Sequence, residues 1–200
     1  MSRQRGTRAR GHLTAADWAE AALAAMREGG GLAAIAIEPI AARLGATKGS
    51  FYWHFANRDA LIEAALARWE TLRTEEVLAQ LQLATDPMTR IRELFQQVTA
   101  AVAEDPTEIA LLAQAGHPVA GPVLRRVTQR RLDYLAGLFG ELGLPEAEAR
   151  QRSLQAYCGY LGRAQLAHAM PEVLPTGEEN ARYLDAVIAS LLGRRSRPGG

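Results

Sequence analysis

In nearly every stretch of this chain between one glycine, proline or capping residue and the next, apolar residues return at intervals of three and four. That is the repeat of an α-helix laying one face on a core, and no stretch alternates with the period of two that a half-buried strand requires. The chain therefore reads as all-α. A first helix, from about Thr14 to Glu28, places Trp18, Ala22, Ala25 and Met26 on one side and stops at Gly29-Gly30-Gly31. A short second helix spans about Glu38 to Leu44, with Pro39 in its first turn and Gly45 after it, and Thr47 caps a third from Lys48 to about Phe55. Asn57 opens a long fourth helix with Leu61, Ala65, Leu66, Trp69 and Leu72 as its buried stripe. Asp86-Pro87 opens a fifth, and Asp105-Pro106 with Glu108 opens a short sixth ending near Gln114. The run Ala115 to Pro122 reads as a break before a helix from Val123 to Leu142, followed by helices from about Glu146 to Met170 and Glu178 to Leu192. No internal repeat is present, which argues against a solenoid.

With 48% apolar residues among 200, the chain can bury a sizeable core. It has neither a run of 18 apolar residues nor an apolar segment behind Arg3, Arg5, Arg8 and Arg10, so a membrane span and a signal peptide are not expected. The lone cysteine, Cys158, fits a reducing cytoplasmic setting. It lies about 15 Å along one helix from His168, too far to share a metal ion, and no metal or cofactor is expected.

The net charge of +1 conceals an uneven distribution. Residues 1–58 carry eight basic against four acidic side chains, a balance of +4, whereas residues 59–200 carry 15 against 18, a balance of −3. The first segment is built to meet something anionic. Of the 23 basic residues, 22 are arginine, and the single lysine is Lys48.

Lys48 lies in a layout of two short helices joined by a tight turn, residues 40–51, which is that of a helix-turn-helix. Phe51 and Phe55 are four apart and share one face, assigned to the core, which sends Tyr52, Trp53 and His54 elsewhere. Contact with DNA accounts for exposed aromatics beside a lysine, with open amides and Gly49 allowing a close approach to phosphate or base edges. The alternative is that these rings pack on the first or fourth helix.

The run Lys48-Gly49-Ser50-Phe51-Tyr52-Trp53-His54-Phe55-Ala56-Asn57-Arg58-Asp59-Ala60-Leu61 resembles the signature of the tetracycline-repressor (TetR) family of bacterial transcription regulators. The resemblance is specific over residues 12–69 and architectural beyond them. It implies a homodimer that binds a palindromic operator in double-stranded DNA. Each subunit would have an N-terminal arm and three-helix DNA-binding domain (1–58), then a roughly six-helix bundle (59–200) that dimerises and takes a small-molecule effector. Residues 193–200 read as a disordered tail. By the same resemblance Thr47, Lys48, Gly49 and Ser50 enter the major groove, Tyr52, Trp53 and His54 touch backbone or bases, and Arg58 faces phosphate. Two departures, Ala36 where a capping hydroxyl is usual and Pro39 in the first turn, concern only the start of the second helix.

In the bundle, Trp69, Leu72, Phe95, Val98, Leu112, Tyr134, Leu138 and Tyr157 are candidate walls of an effector pocket, or plain core. His117 is a polar pocket candidate or an exposed loop residue. Leu154, Cys158, Leu161, Gly162 and Gln165, with Leu184, Val187, Ile188 and Leu191, either finish the subunit core or form the candidate dimer face on the last two helices, which in the resembled family pair with their symmetry mates. The arm Met1 to Gly11 either follows the minor groove or adds nonspecific attraction. The expected function is a DNA-binding regulator, a repressor released by its effector, with an activating or ligand-independent binder as the alternative. An enzyme is disfavoured because paired carboxylates, a Gly-x-Ser-x-Gly elbow and a Cys-His spacing are all missing.

Overall fold

The computed structural model describes residues 13–193, and the arm and tail lie outside them. Among the described residues the regular structure is helical throughout: α1 (Ala15–Gly29), α2 (Ile37–Arg43), α3 (Lys48–Phe51), α4 (Arg58–Glu70), α5 (Glu76–Leu81), α6 (Pro87–Glu104), α7 (Thr107–Leu112), α8 (Ala120–Glu141), α9 (Glu146–Ala169) and α10 (Gly177–Leu191). The expected caps form. Side-chain oxygens of Thr14, Thr47, Asn57 and Asp86 accept from the amides of Asp17, Ser50, Ala60 and Thr89, which satisfies donors that a helix start leaves open. Asp17 returns the bond to the Thr14 amide at 2.7 Å, closing a capping box. Gly45, at φ +64°, makes the left-handed turn between α2 and α3 that a side chain would resist.

Two apolar cores are stacked along the molecule. The first gathers α1 to α4 around Trp18, Phe51, Leu61 and Leu66, and continues into Leu111 of α7 and Val123, Leu124 and Val127 of α8. The second joins α5, α6, the far half of α8, α9 and α10 around Leu81, Ile91, Leu138, Phe139 and Ile188. Phe51 is fully buried, stacks on Phe55 at 5.6 Å and meets the edge of Trp18 at 5.5 Å, so the shared-face reading of the two phenylalanines holds.

Several boundaries differ from the sequence expectation for local reasons. α3 ends at Phe51, where closures from Trp53 N to Ser50 O and from His54 N to Phe51 O tighten the chain into turns. The long fourth helix is interrupted by one π-helical turn, Thr71–Glu75, between α4 and α5. Leu32–Ala34 forms an unexpected 3₁₀ turn. α8 starts at Ala120 rather than after Pro122. The proline sits harmlessly in the first turn, and a side chain at Gly121 would strike the Ala115 carbonyl at 2.5 Å, so Gly121 marks a close approach, not a break.

Phe51→Ala should lower unfolding stability by about 3–5 kcal/mol through lost burial and a cavity. Trp53→Ala should change it by less than about 0.5 kcal/mol, because that ring is 87% exposed. Chemical denaturation of both variants checks the pair.

Candidate nucleic-acid interface and ligand cavity

The α2–α3 turn presents its polar residues outward because Phe51 and Phe55 are drawn into the core behind them. Trp53 and Tyr52 project into solvent, at 87% and 54% exposure. Tyr52 keeps an edge contact with Phe51 at 5.1 Å, which orients its hydroxyl end away from the core. Thr47 is spent on the cap to the Ser50 amide, so its hydroxyl has one role in the free protein already. At Gly49 the nearest neighbour of an added Cβ would be the Thr47 hydroxyl at an ordinary 3.6 Å, so nothing within the subunit requires glycine there. His54 is half-buried.

Lys48 is not idle. Its Nζ donates to Glu38 Oε1 at 2.9 Å across the turn, and this bond holds the ammonium above its ordinary pKa and the carboxyl below its own. Arg43 grips Glu28 through two bonds of 2.7 Å, tying α2 to α1. Arg58, expected against phosphate, is turned inward. Its Nε and Nη2 donate to the carbonyls of Ile35 and Leu32 at 2.6 Å, so it clamps the 3₁₀ link to the start of α4. The Leu32 carbonyl already accepts from the Ile35 amide at 3.1 Å, and the guanidinium takes its second acceptor site together with the Ile35 carbonyl.

Between α4 to α6 and α8 to α10 lies a cavity of about 170 Å³, walled mainly by apolar side chains. It brings together Trp69, Phe95, Val98, Tyr134 and Tyr157 from the expected set. Leu72 faces a separate cleft against α1, and Leu112 packs on the first core. Leu138 is buried within the second core. His117 lies apart from the cavity, because its Nδ1 accepts from the amides of Val119 and Ala120 and holds the start of α8.

The polar side of the cavity comes from residues that sequence reasoning passed over. Arg131 donates to Glu108 at 2.6 Å, to the Thr74 hydroxyl at 3.0 Å and to the Arg73 carbonyl at 3.1 Å, and lies over the Trp69 ring at 5.6 Å. Burial alone would depress its pKa, yet the charge of Glu108 raises it. Tyr160 donates to the other Glu108 oxygen at 2.8 Å, and burial followed by that negative charge pushes its phenol well above the ordinary range. Arg73 pairs with Asp105 at 2.6 Å. Burial of Asp105 opposes ionisation, but bonds from Thr107 and Arg73 outweigh it and hold the carboxyl below its usual range. Glu108, read as part of a cap, turns inward instead. The available signal was two charged residues, Glu108 and Arg131, falling among the apolar positions of their helices.

On the outer side of α9, Leu154, Cys158, Gly162 and Gln165 are exposed and Leu161 is half-buried. Leu184, Ile188 and Leu191 of α10, candidates from sequence for a dimer face or for the subunit core, are buried within the subunit, because α10 turns its apolar stripe inward onto α6 and α9. Val187 is half-buried beside them.

Residues 20–65 match the family model described as bacterial regulatory proteins, tetR family. Over this N-terminal unit the chain is similar to the TetR family of bacterial regulatory proteins. Solved structures share its fold over most of the chain. A putative transcriptional regulator from Pseudomonas aeruginosa PAO1 superimposes with TM-score 0.74 at 18% identity, covering 90% of each chain. A putative TetR-family regulator from Mesorhizobium loti MAFF303099 gives 0.65 at 20% identity, covering 90% of this chain and 95% of that one. FadR from Bacillus subtilis, in complex with stearoyl-CoA, gives 0.61 at 14% identity, covering 90% and 98%. No curated relative matches the sequence. No described helix is long and apolar enough to cross a membrane.

Because of the Glu38 contact, an anion that reaches Lys48 must displace a carboxylate. Glu38→Gln should therefore tighten DNA binding, by up to about fivefold given what exposed ion pairs contribute. Fluorescence anisotropy at fixed salt reads this, and unchanged or weaker binding would mean that the pair plays no part.

Proposed function

We propose that this chain is a homodimeric repressor that binds a palindromic operator through α3 and the turn after it, in the cytoplasm, and is released when a small molecule occupies the bundle cavity. The observation that carries the reading is the outward display of Tyr52 and Trp53 beside Lys48, on a turn whose other two aromatics are fully committed to the core. Thr47 to Ser50 enter the major groove. Tyr52, Trp53 and His54 bond or pack on the sugar-phosphate backbone. Arg58 supports them from behind by fixing the link into α2.

The exposed stripe on α9 supports dimerisation. Leu154 is 54% exposed, and an added side chain at Gly162 would meet nothing within its own subunit, although glycine inside a helix costs about 0.5–1 kcal/mol. A partner backbone lying close to Gly162 accounts for that cost. Two subunits then present two reading units about 34 Å apart, one per major-groove face.

Release follows from the position of the cavity. Its wall includes Trp69 at the end of α4 and Arg73 and Thr74 of the π turn, and α4 begins at the reading unit. An occupant that favours one position of α4 shifts the population between well-spaced and badly spaced heads. The FadR relative, known with stearoyl-CoA, supports ligand binding as the input.

Mobility-shift titrations with the DNA upstream of the gene test the reading. Lys48→Ala and Trp53→Ala should each weaken binding about tenfold or more while leaving the melting temperature within a few degrees. Gly162→Arg should yield monomers in sedimentation experiments and lose cooperative binding to the paired site. A wild-type protein that retards no upstream fragment in a salt-sensitive way would refute the proposal.

A further inference from the structure

Five charged side chains line the bundle cavity: Arg73, Asp105, Glu108, Arg131 and Arg163. Their pairing is uneven. Asp105 is taken by Arg73 and Glu108 by Arg131, both at 2.6 Å, and Glu108 also receives Tyr160. Arg163, on α9, has no carboxylate within ion-pair distance among the described residues. Its Nη2 donates to Asn180 Oδ1 at 2.7 Å and its guanidinium lies 5.5 Å over the Tyr183 ring, so α10 holds it in place. Its Nη1 is shut off from solvent and has no acceptor.

A guanidinium at the cavity wall with no carboxylate beside it carries a charge that an incoming anion neutralises. The two carboxylates of the cavity offer no such place to a cation, since each is already saturated by its own guanidinium. Most of the remaining wall is apolar, with Leu78, Leu94, Phe95, Val98 and Leu135 lining the space. A volume of about 170 Å³ compares with the roughly 150 Å³ that accommodates a benzene ring in an engineered apolar cavity.

We propose that Arg163 is an anion receptor inside the cavity, and that the ligand class is a compact apolar molecule bearing one carboxylate. The acid group lies against the part of the Arg163 guanidinium that lines the cavity, and the apolar body lies on the Leu78, Phe95 and Val98 side. One uncompensated guanidinium matches a single negative charge, so a monocarboxylate fits and a dianionic phosphate would leave charge unpaired. The proposal rests on the cavity being the effector site, and it names the chemistry read there.

The test is calorimetric titration of the full chain, without DNA, using benzoate, cyclohexanecarboxylate and octanoate, each beside its primary amide. At least one acid should bind, with its amide weaker by about tenfold or more. Arg163→Met should bring the acid down to the level of the amide and leave the amide unchanged, and Arg163→Lys should keep part of the preference. Should the methionine variant fail to fold, the acid-against-amide comparison on the wild type and the lysine variant still decide. Binding by none of the acids, equal binding of acid and amide, or a preference that survives in Arg163→Met would overturn the receptor. Acid binding that leaves the DNA complex intact in a separate mobility shift would support the receptor and count against effector release.

Discussion

One helix serves two masters in this molecule, and most of the architecture follows from it. α4 buries Leu61, Ile62, Ala65, Leu66 and Trp69, a stripe that α1 covers on one side and α8 on the other. At its start Arg58 fastens the link leading into α2, and at its end Trp69 lies beneath the Arg131 guanidinium that also holds Glu108. The reading unit and the bundle thus share a rigid element with no flexible linker between them. Such packing transmits displacement because a close-packed core does not deform gradually.

The π turn after α4 deserves its place in that scheme for a geometric reason. A wider turn re-aims side chains relative to an unbroken α-helix, and here it brings Arg73 and Thr74 to the cavity wall. Arg73 then reaches Asp105 before α7, and its carbonyl accepts from Arg131 of α8. Three helices therefore meet at one short irregular segment next to the ligand space. On the proposed reading, a molecule entering the cavity presses on the segment least committed to regular helix bonding and closest to α4.

Much of this was legible in the sequence, and the legible part has a common cause. Caps at Thr14, Thr47, Asn57 and Asp86, the Gly45 turn and the shared face of Phe51 and Phe55 depend on neighbours a few residues away. What escaped depends on distant partners. Arg58 finds carbonyls more than twenty residues back, Arg131 finds Glu108, and His117 turns to the amides that open α8. Gly121 looked like a breaker because the Ala115 carbonyl that requires it approaches only in three dimensions. Apolar spacing on α10 marks one face without saying which neighbour it meets, so the sequence leaves Leu184, Ile188 and Leu191 open between subunit core and dimer face, and in the fold they are buried within the subunit.

The central claim is that two copies of the α3 surface read DNA together. Hydroxyl-radical footprinting of the full-length protein on its upstream DNA tests it most directly. The account predicts two protected patches related by two-fold symmetry, with centres one helical turn or a whole multiple apart, and both lost together as salt rises. A single unpaired patch, or diffuse protection with no sequence preference, would contradict it.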